Sequence, residues 1–399
     1  MFSQASSDPS LADKSVYKTL IRLGPPFNRL GQALVEIFGH FNWKRAVIVS
    51  RRKTDNKKVF CDYSSRAADV IFRANNITVA EWMIIDDGIT DAKIDEMLER
   101  VYQRGRIVIL CSENKDDTRR ILLRGKEAGM MDGSFVFWMP DHLPPDNVEK
   151  PWLRGDSSDA DAKLTFRNVF QITVAEMAGP EVESFRDLIP LKMAESPWFY
   201  NTSIENRKRG SEYSPFLHDV VYLYLLTLNE TLAEGLDHRN GTAIVQKARN
   251  KTFRGVTGNV KLDLNGDREP DYWVWHLEPD AEKFAVVMEA RMTSSTKKIY
   301  VTSDIKWSTF DGLVPVDVPI CGFTGDLCIK KTSYIITIVV PVVMVISFVI
   351  LLVPSVIVYR RIKFEREVEK MTWKIESHEI KLSEARCFGS IGQVIHYLQ

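Results

Sequence analysis

The chain has 399 residues, 45% of them hydrophobic, which is enough for two or three ordinary domains with real cores and too apolar for a chain that stays disordered. Its 53 basic residues cancel its 53 acidic ones, so no net field draws it to nucleic acid or to acidic surfaces. One uncharged run, Thr332 to Tyr359, dominates the organisation of everything else.

The first residues, Met1 to Lys14, are polar. An exported chain opens on an apolar signal, so Met1 reads as an internal start within a longer protein. From Trp43 onward short apolar runs alternate with amphipathic stretches, the pattern of βαβ units and a parallel sheet. Strands are predicted at Ala46 to Ser50, Thr78 to Ile85, Arg106 to Cys111 and Ser134 to Trp138. Helices are predicted between them, at Asp62 to Ala74 and Asp91 to Arg104, each with an apolar stripe at helical spacing, and at Lys115 to Gly129, ending on glycine. Together they predict a doubly wound α/β lobe. Asp86 and Asp87 read as a solvated strand end.

Pro140 to Pro151 reads as a long connection at a strand's carboxyl end, where open α/β sheets bind ligands. Beyond it, Phe170 to Glu176 predicts a strand, and Pro180 to Met193 and Ser214 to Ala233 predict helices. Thr252 to Glu278 alternates like strands, with Asn265-Gly266 as a hairpin turn. Asp263, Asn265 and Asp267 resemble part of a calcium loop, but Tyr272 stands where that loop needs a bidentate acid, which leaves a simple hairpin as the other reading. The seven histidines show no metal-ligand spacing, and neither a nucleophile elbow nor a phosphate loop occurs. No catalytic residue, metal or cofactor is assigned to this chain.

The run from Thr332 to Tyr359 holds 28 residues without a charge, against the roughly 20 that cross a hydrocarbon core as a helix. Pro341 and Pro354 are tolerated in such a helix, and Tyr334 and Tyr359 suit its two interfaces. Arg360, Arg361, Lys363, Arg366, Lys370 and Lys374 follow closely, whereas Lys330 and Lys331 precede. This bias places the C-terminal side in the cytoplasm. Asn-X-Ser/Thr acceptors at Asn76, Asn201, Asn229, Asn240 and Asn250 all precede the span, as do Cys61, Cys111, Cys321 and Cys328, while Cys387 alone follows it. The expected product is a single-pass plasma-membrane glycoprotein with its N-terminal side outside. Cys61 and Cys111 read as a bridge or as two buried thiols; Cys321 and Cys328 supply only half a zinc site and read as a bridge, within or between chains. After the span, Phe364, Val368, Met371, Ile375 and Leu382 recur at spacings of four, three, four and seven, either a short dimer seam or a solvated charged helix.

Several segments resemble the natriuretic peptide receptor and receptor guanylate cyclase family: Pro151 to Asp156 (PWLRGD), His218-Asp219, Thr252 to Gly258 (TFRGVTG), Asp263 to Glu269 (DLNGDRE) and Cys321-Gly322-Phe323. Trp373-Lys374-Ile375 is similar to the start of that family's link to a kinase-like domain, and Cys61 with Cys111 is similar to its intralobe disulfide. The resemblance runs from about Tyr17 to Leu382.

It implies a type I periplasmic-binding-protein-like ectodomain, incomplete at its N-terminus, over residues 1–320, a juxtamembrane stretch at 321–331, the span at 332–359 and a cytoplasmic linker at 360–399. It implies a homodimeric hormone receptor, the hormone being a peptide or another small ligand, whose inner cyclase makes cyclic GMP. By the same comparison the first portion of the ectodomain is missing before Met1, and the kinase-like and cyclase domains after Gln399, so this stretch alone is not expected to catalyse cyclisation. Family hormone contacts map onto Tyr63, Arg66, Val70, Glu81, Met83 and Ile84, whose identities largely differ from those of the vertebrate hormone receptors. The alternatives are a clearance-type receptor with a short tail and a catalytically silent receptor-like protein.

Overall fold

The computed structural model describes residues 1–52, 60–141, 143–145, 150–200, 209–293, 297–328 and 338–370. Residues Met1–Cys328 form one compact unit and the chain from Ile329 a second.

The first unit begins with β1 (Phe2–Ser3) and β2 (Ile21–Arg22), a small parallel pair, and passes through Pro25-Pro26 into α1 (Phe27–His40). Prolines end an extended segment and suit a helix start. Helix α1 buries Leu30, Ala33, Leu34, Ile37 and Phe38, one face at helical spacing. Then follow β3 (Arg45–Arg51), α2 (Phe60–Ala74), β4 (Thr78–Ile85), α3 (Asp91–Arg104), β5 (Ile107–Cys111), α4 (Lys115–Glu127), β6 (Val136–Pro140), α5 (Asp159–Phe166) and β7 (Val169–Val174). Helix starts are capped where the sequence allows: Thr90 Oγ1 accepts from the Lys93 amide, and Asn114 Oδ1 from those of Asp116 and Asp117.

These strands pair in parallel in the order β4-β3-β5-β6-β7, so the chain reverses its direction of travel across the sheet between β3 and β5. All five residues of β5 are buried, as a central strand covered on both faces requires. One face packs on α1 and α2 through Phe38, Trp43, Ile48 and Phe72; the other packs on α3, α4 and α5 through Leu98, Leu110, Leu122 and Phe166.

From β7 a short 3-10 turn, Ala175–Met177, leads to α6 (Pro180–Ala194), α7 (Ser214–Ala233), α8 (Gly241–Ala248) and the hairpin of β8 (Thr252–Gly255) with β9 (Gly258–Lys261). These elements share a small core with β2, built on Ile21, Leu23, Val220, Leu223, Val245, Val260 and Leu262. The chain then returns to the large sheet as β10 (Tyr272–His276), antiparallel to β7, followed by β11 (Ala285–Arg291) and the edge strand β12 (Lys298–Val301). Three connections therefore cross between a large lobe and a small one: β2 to α1, β7 to α6 and β9 to β10.

Most limits move by one or two residues from the sequence reading, and three differences have a visible cause or consequence. The strand expected from Ser134 starts at Val136, because the Ser134 amide and hydroxyl both bind Asp132 Oδ1 in a turn, at 2.8 and 2.6 Å. The strand expected to reach Glu176 stops at Val174, and Glu176 lies in the crossing instead. The hairpin turn expected at Asn265-Gly266 is a tight turn closed by a single bridge, Leu262 with Arg268, whereas the two-stranded hairpin turns at Val256-Thr257.

In the second unit α9 runs over Val340–Glu369, 30 residues none of which is buried. It continues ten residues beyond Tyr359 into the basic segment, and residues 332–337 of the expected span lie outside the described part. Pro354 sits inside the helix without an amide to donate; Ser355 Oγ donates to the Leu351 carbonyl at 2.7 Å in the same turn.

Candidate functional site

Helix α2 and strand β4 stand at one edge of the large sheet and carry all six ligand candidates. The disulfide Cys61–Cys111 fixes the first turn of α2 to the end of β5, with Cα atoms 5.4 Å apart. On the outer face of α2, Arg66 and Val70 are exposed and Tyr63 is half-buried. Arg66 pairs with Asp62 one turn back at 2.9 Å and lies 5.7 Å from the ring of Trp82 on β4. Trp82 Nε1 in turn donates to Ser50 Oγ at 2.8 Å, which holds the indole against β3.

The β4 candidates divide between the two faces of the sheet. A register shift opposite Ala46 and Val47 puts Glu81 on the α3 side, where its carboxylate pairs with Arg100 and Arg104. Met83 follows Glu81 on that side and is 5% exposed within the α3–α4 core, so it is corrected from a contact residue to a core residue. Ile84 points the other way. The structure therefore gathers Tyr63, Arg66, Val70 and Ile84 at the α2 edge, and Trp82 joins them although the sequence reading passed over it.

The motifs that carry the family resemblance fold into the crossings and their supports. Asp219 on α7, fully buried, accepts from the Val256 amide at 2.8 Å, the Thr257 amide at 3.0 Å and Thr257 Oγ1 at 2.5 Å. Gly255 has to be glycine here, since a Cβ would lie 2.4 Å from the Asp219 carboxylate. Asp267 receives Arg22 through both oxygens, at 2.8 and 2.6 Å, and Lys14 at 2.8 Å. Asp263 accepts from the Asn265 and Asp267 amides and from Arg29. The carboxylates of Asp263 and Asp267, two of the three groups that resemble a calcium loop, are thus engaged by arginine, lysine and backbone donors. PWLRGD ties α4 to the start of α5: Arg119 donates to the Trp152 carbonyl at 2.9 Å and pairs with Asp156 and Asp159.

Two buried carboxylates lie at the crossings, in different connections. Glu176 receives the Asp271 amide at 3.1 Å and lies 3.5 Å from Arg268, itself fully buried. Burial, partly offset by Arg268 and reinforced by Asp271, pushes the Glu176 carboxyl up to about 7. Asp267 goes the other way: burial opposes its charge, but Arg22 and Lys14 hold it below the usual carboxylate range. At the strand reversal Arg51, 2% exposed, is held by Asp87, Asp117 and the Ser112 carbonyl, so Asp87 is an ion-pair partner rather than a merely solvated strand end.

At the opposite end of the sheet, the stretch after β12 is pinned to the large lobe. Trp307 packs on Phe41, Trp43 and Phe170; Trp43 Nε1 donates to the Pro315 carbonyl at 2.7 Å. Cys321 and Cys328 are bonded within this chain and close a small loop, whose Phe323 ring lies 5.2 Å from both Arg45 and Arg106. Arg106 also faces the rings of Tyr102 and Phe135.

Four of the acceptor asparagines, Asn76, Asn229, Asn240 and Asn250, are exposed; Asn201 lies outside the described residues. Phe364 and Val368 lie exposed on α9, and Met371, Ile375 and Leu382 fall outside the described residues.

A doubly wound lobe joined by three crossings to a second lobe defines a two-lobed, periplasmic-binding-protein-like receptor ectodomain. Residues 1–280 match the family described as Receptor family ligand binding region, and the chain belongs to that family. It is similar to atrial natriuretic peptide receptor 2 of Bos taurus, 26% identical over 94% of this chain and 36% of the relative. It is also similar to receptor-type guanylate cyclase gcy-28 of Caenorhabditis elegans, 28% identical over 73% of this chain and 22% of the relative, and to atrial natriuretic peptide receptor 3 of Mus musculus, 26% identical over 65% and 46%. The chain spans less than half the length of each.

Proposed function

We propose that the chain is the sensing and membrane-anchoring part of a receptor-type guanylate cyclase, with the α2 edge outside the cell binding a peptide hormone and the full-length protein making cyclic GMP. The observation that carries this is the continuity of one similarity. The relatedness to atrial natriuretic peptide receptor 2 takes in 94% of the chain, so it passes from the ligand-binding region through the apolar helix. In this reading the ectodomain runs to residue 320, the juxtamembrane stretch to 331, the span to 359 and the cytoplasmic linker to 399. The receptor acts as a homodimer, with glycans on the exposed asparagines and Phe364, Val368, Met371, Ile375 and Leu382 as the inner seam. Hormone would select one of two dimer geometries, and the helices would carry the difference inward.

The clearance-type alternative is kept by the similarity to atrial natriuretic peptide receptor 3. Reading the complete transcript separates the two. A kinase-like segment and a cyclase in frame after Gln399 support the cyclase reading, and a stop codon there sinks it. For the ligand site, cells expressing the full-length receptor would be exposed to fractionated extracellular peptides. Arg66→Glu with Val70→Asp should abolish the cyclic GMP response while leaving surface expression unchanged. A retained response moves the hormone away from α2.

A further inference from the structure

Helix α9 does not stop where its apolar stretch ends. It continues to Glu369, with Lys370 as its C-terminal cap, and this extension carries the five cations Arg360, Arg361, Lys363, Arg366 and Lys370 against the three acids Glu365, Glu367 and Glu369. At about 3.6 residues per turn, Lys363, Arg366 and Lys370 fall within about 60° of one another on one face. Arg361 falls on the far side and pairs with Glu365 at 3.5 Å. Glu367 borders the cationic face, yet among the described residues Lys363, Arg366 and Lys370 stand in no ion pair, and all three are exposed. Phe364 and Val368 lie at least about 100° away around the helix, so whatever meets the cations leaves the proposed seam free.

We propose that Lys363, Arg366 and Lys370 bind a polyphosphoinositide of the inner leaflet, a lipid whose inositol ring carries phosphates besides the phosphodiester. This rests on the proposed crossing of α9 with its basic end in the cytoplasm. At about 1.5 Å per residue the three cations stand about 6, 10.5 and 16.5 Å beyond Tyr359. The headgroup layer of one leaflet is about 5 to 7 Å deep, so a headgroup with a single net charge lies level with Lys363 alone. Ring phosphates project further. Long helical side chains lean back toward the N-terminus, which brings Arg366 and Lys370 toward those phosphates, and the Arg366 guanidinium can meet one through two parallel hydrogen bonds. Cations beside a span attract such lipids across about a Debye length. An acidic protein would need no alignment with the leaflet, whereas this face begins about one turn past the apolar stretch, which favours the lipid.

The test uses the whole chain in phosphatidylcholine vesicles. A membrane-impermeant donor dye is placed on Cys387, the one cysteine outside both disulfides. Energy transfer is read to acyl-labelled phosphatidylcholine, phosphatidylserine or phosphatidylinositol 4,5-bisphosphate. The bisphosphate should be enriched around the donor at least about fivefold over phosphatidylcholine, and at least about twofold over phosphatidylserine at equal added charge, with both ratios falling toward unity in molar salt. Arg366→Gln should lower the enrichment about threefold, while Arg361→Gln, which removes the same charge from the far side, should leave it nearly unchanged. Equal enrichment of the two anionic lipids, or equal losses in the two variants, would assign the attraction to net charge and overturn the site. A chain that washes off the vesicles at alkaline pH overturns the crossing and the lipid site with it; an inserted chain with no lipid preference overturns the lipid site alone.

Discussion

Glu176 shows how one residue can set the pH response of the whole ectodomain. Its folded carboxyl titrates near 7 against an ordinary value of 4.5, chiefly because it is buried. Between those values the native state holds a proton that the unfolded chain has released. Stability from this group is therefore full below about pH 4.5 and is lost as pH rises through about 7, by at most about 3 kcal/mol. Glu176→Gln should flatten the fall, gaining stability at pH 8 and changing little at pH 4. Denaturant midpoints across that range check it, and an unchanged slope would assign the dependence to other groups. Asp219 is the opposite case, a buried carboxylate with three donors aimed at it. Asp219→Ala strands the Thr257 hydroxyl and two amides, and should cost about 3 kcal/mol, visible as a large drop in melting temperature.

At the scale of elements, the described stretch after β12, residues 302–328, is a clamp rather than a tether. Trp307, the Pro315 carbonyl and Phe323 fasten it along the amino ends of β3 and β5, where Arg45 and Arg106 stand. Phe323→Ala should raise amide exchange over residues 315–328 several-fold while costing the ectodomain only about 1 kcal/mol. Unchanged exchange would mean that the disulfide loop is held elsewhere. Much of the large lobe was legible, since alternation of β3, β4 and β5 with α2, α3 and α4 is written in local periodicity: α3 at Asp91–Arg104 coincides with the expected limits, as does α7 at Ser214–Ala233 in the small lobe. What was not legible depends on distant partners. Strands β11 and β12 are defined by pairing to β10, and Glu176 leaves the strand pattern only because the chain crosses there. The ligand candidates suffered in the same way: the register shift in β4 sends Glu81 and Met83 to the α3 face, and no spacing in the sequence announces it.

For the whole molecule the decisive quantity is the mismatch between helix and bilayer. Thirty residues of α9 extend about 45 Å, against a hydrocarbon core of about 30 Å. If α9 crosses, the surplus has to emerge at one end, and the proposed orientation assigns it to the end that carries the five cations Arg360, Arg361, Lys363, Arg366 and Lys370. With those charges held on the cytoplasmic side, an epitope at the N-terminus should be reached by antibody on intact cells and one at the C-terminus only after permeabilisation. Replacing Arg360, Arg361 and Lys363 with Gln leaves the apolar stretch intact and weakens the bias, so a minor inverted population should appear with unglycosylated Asn229 and Asn240. If wild-type cells expose both epitopes to the same side, the helix does not cross, and the proposal of a receptor with its sensing region and its output on opposite sides of a membrane fails.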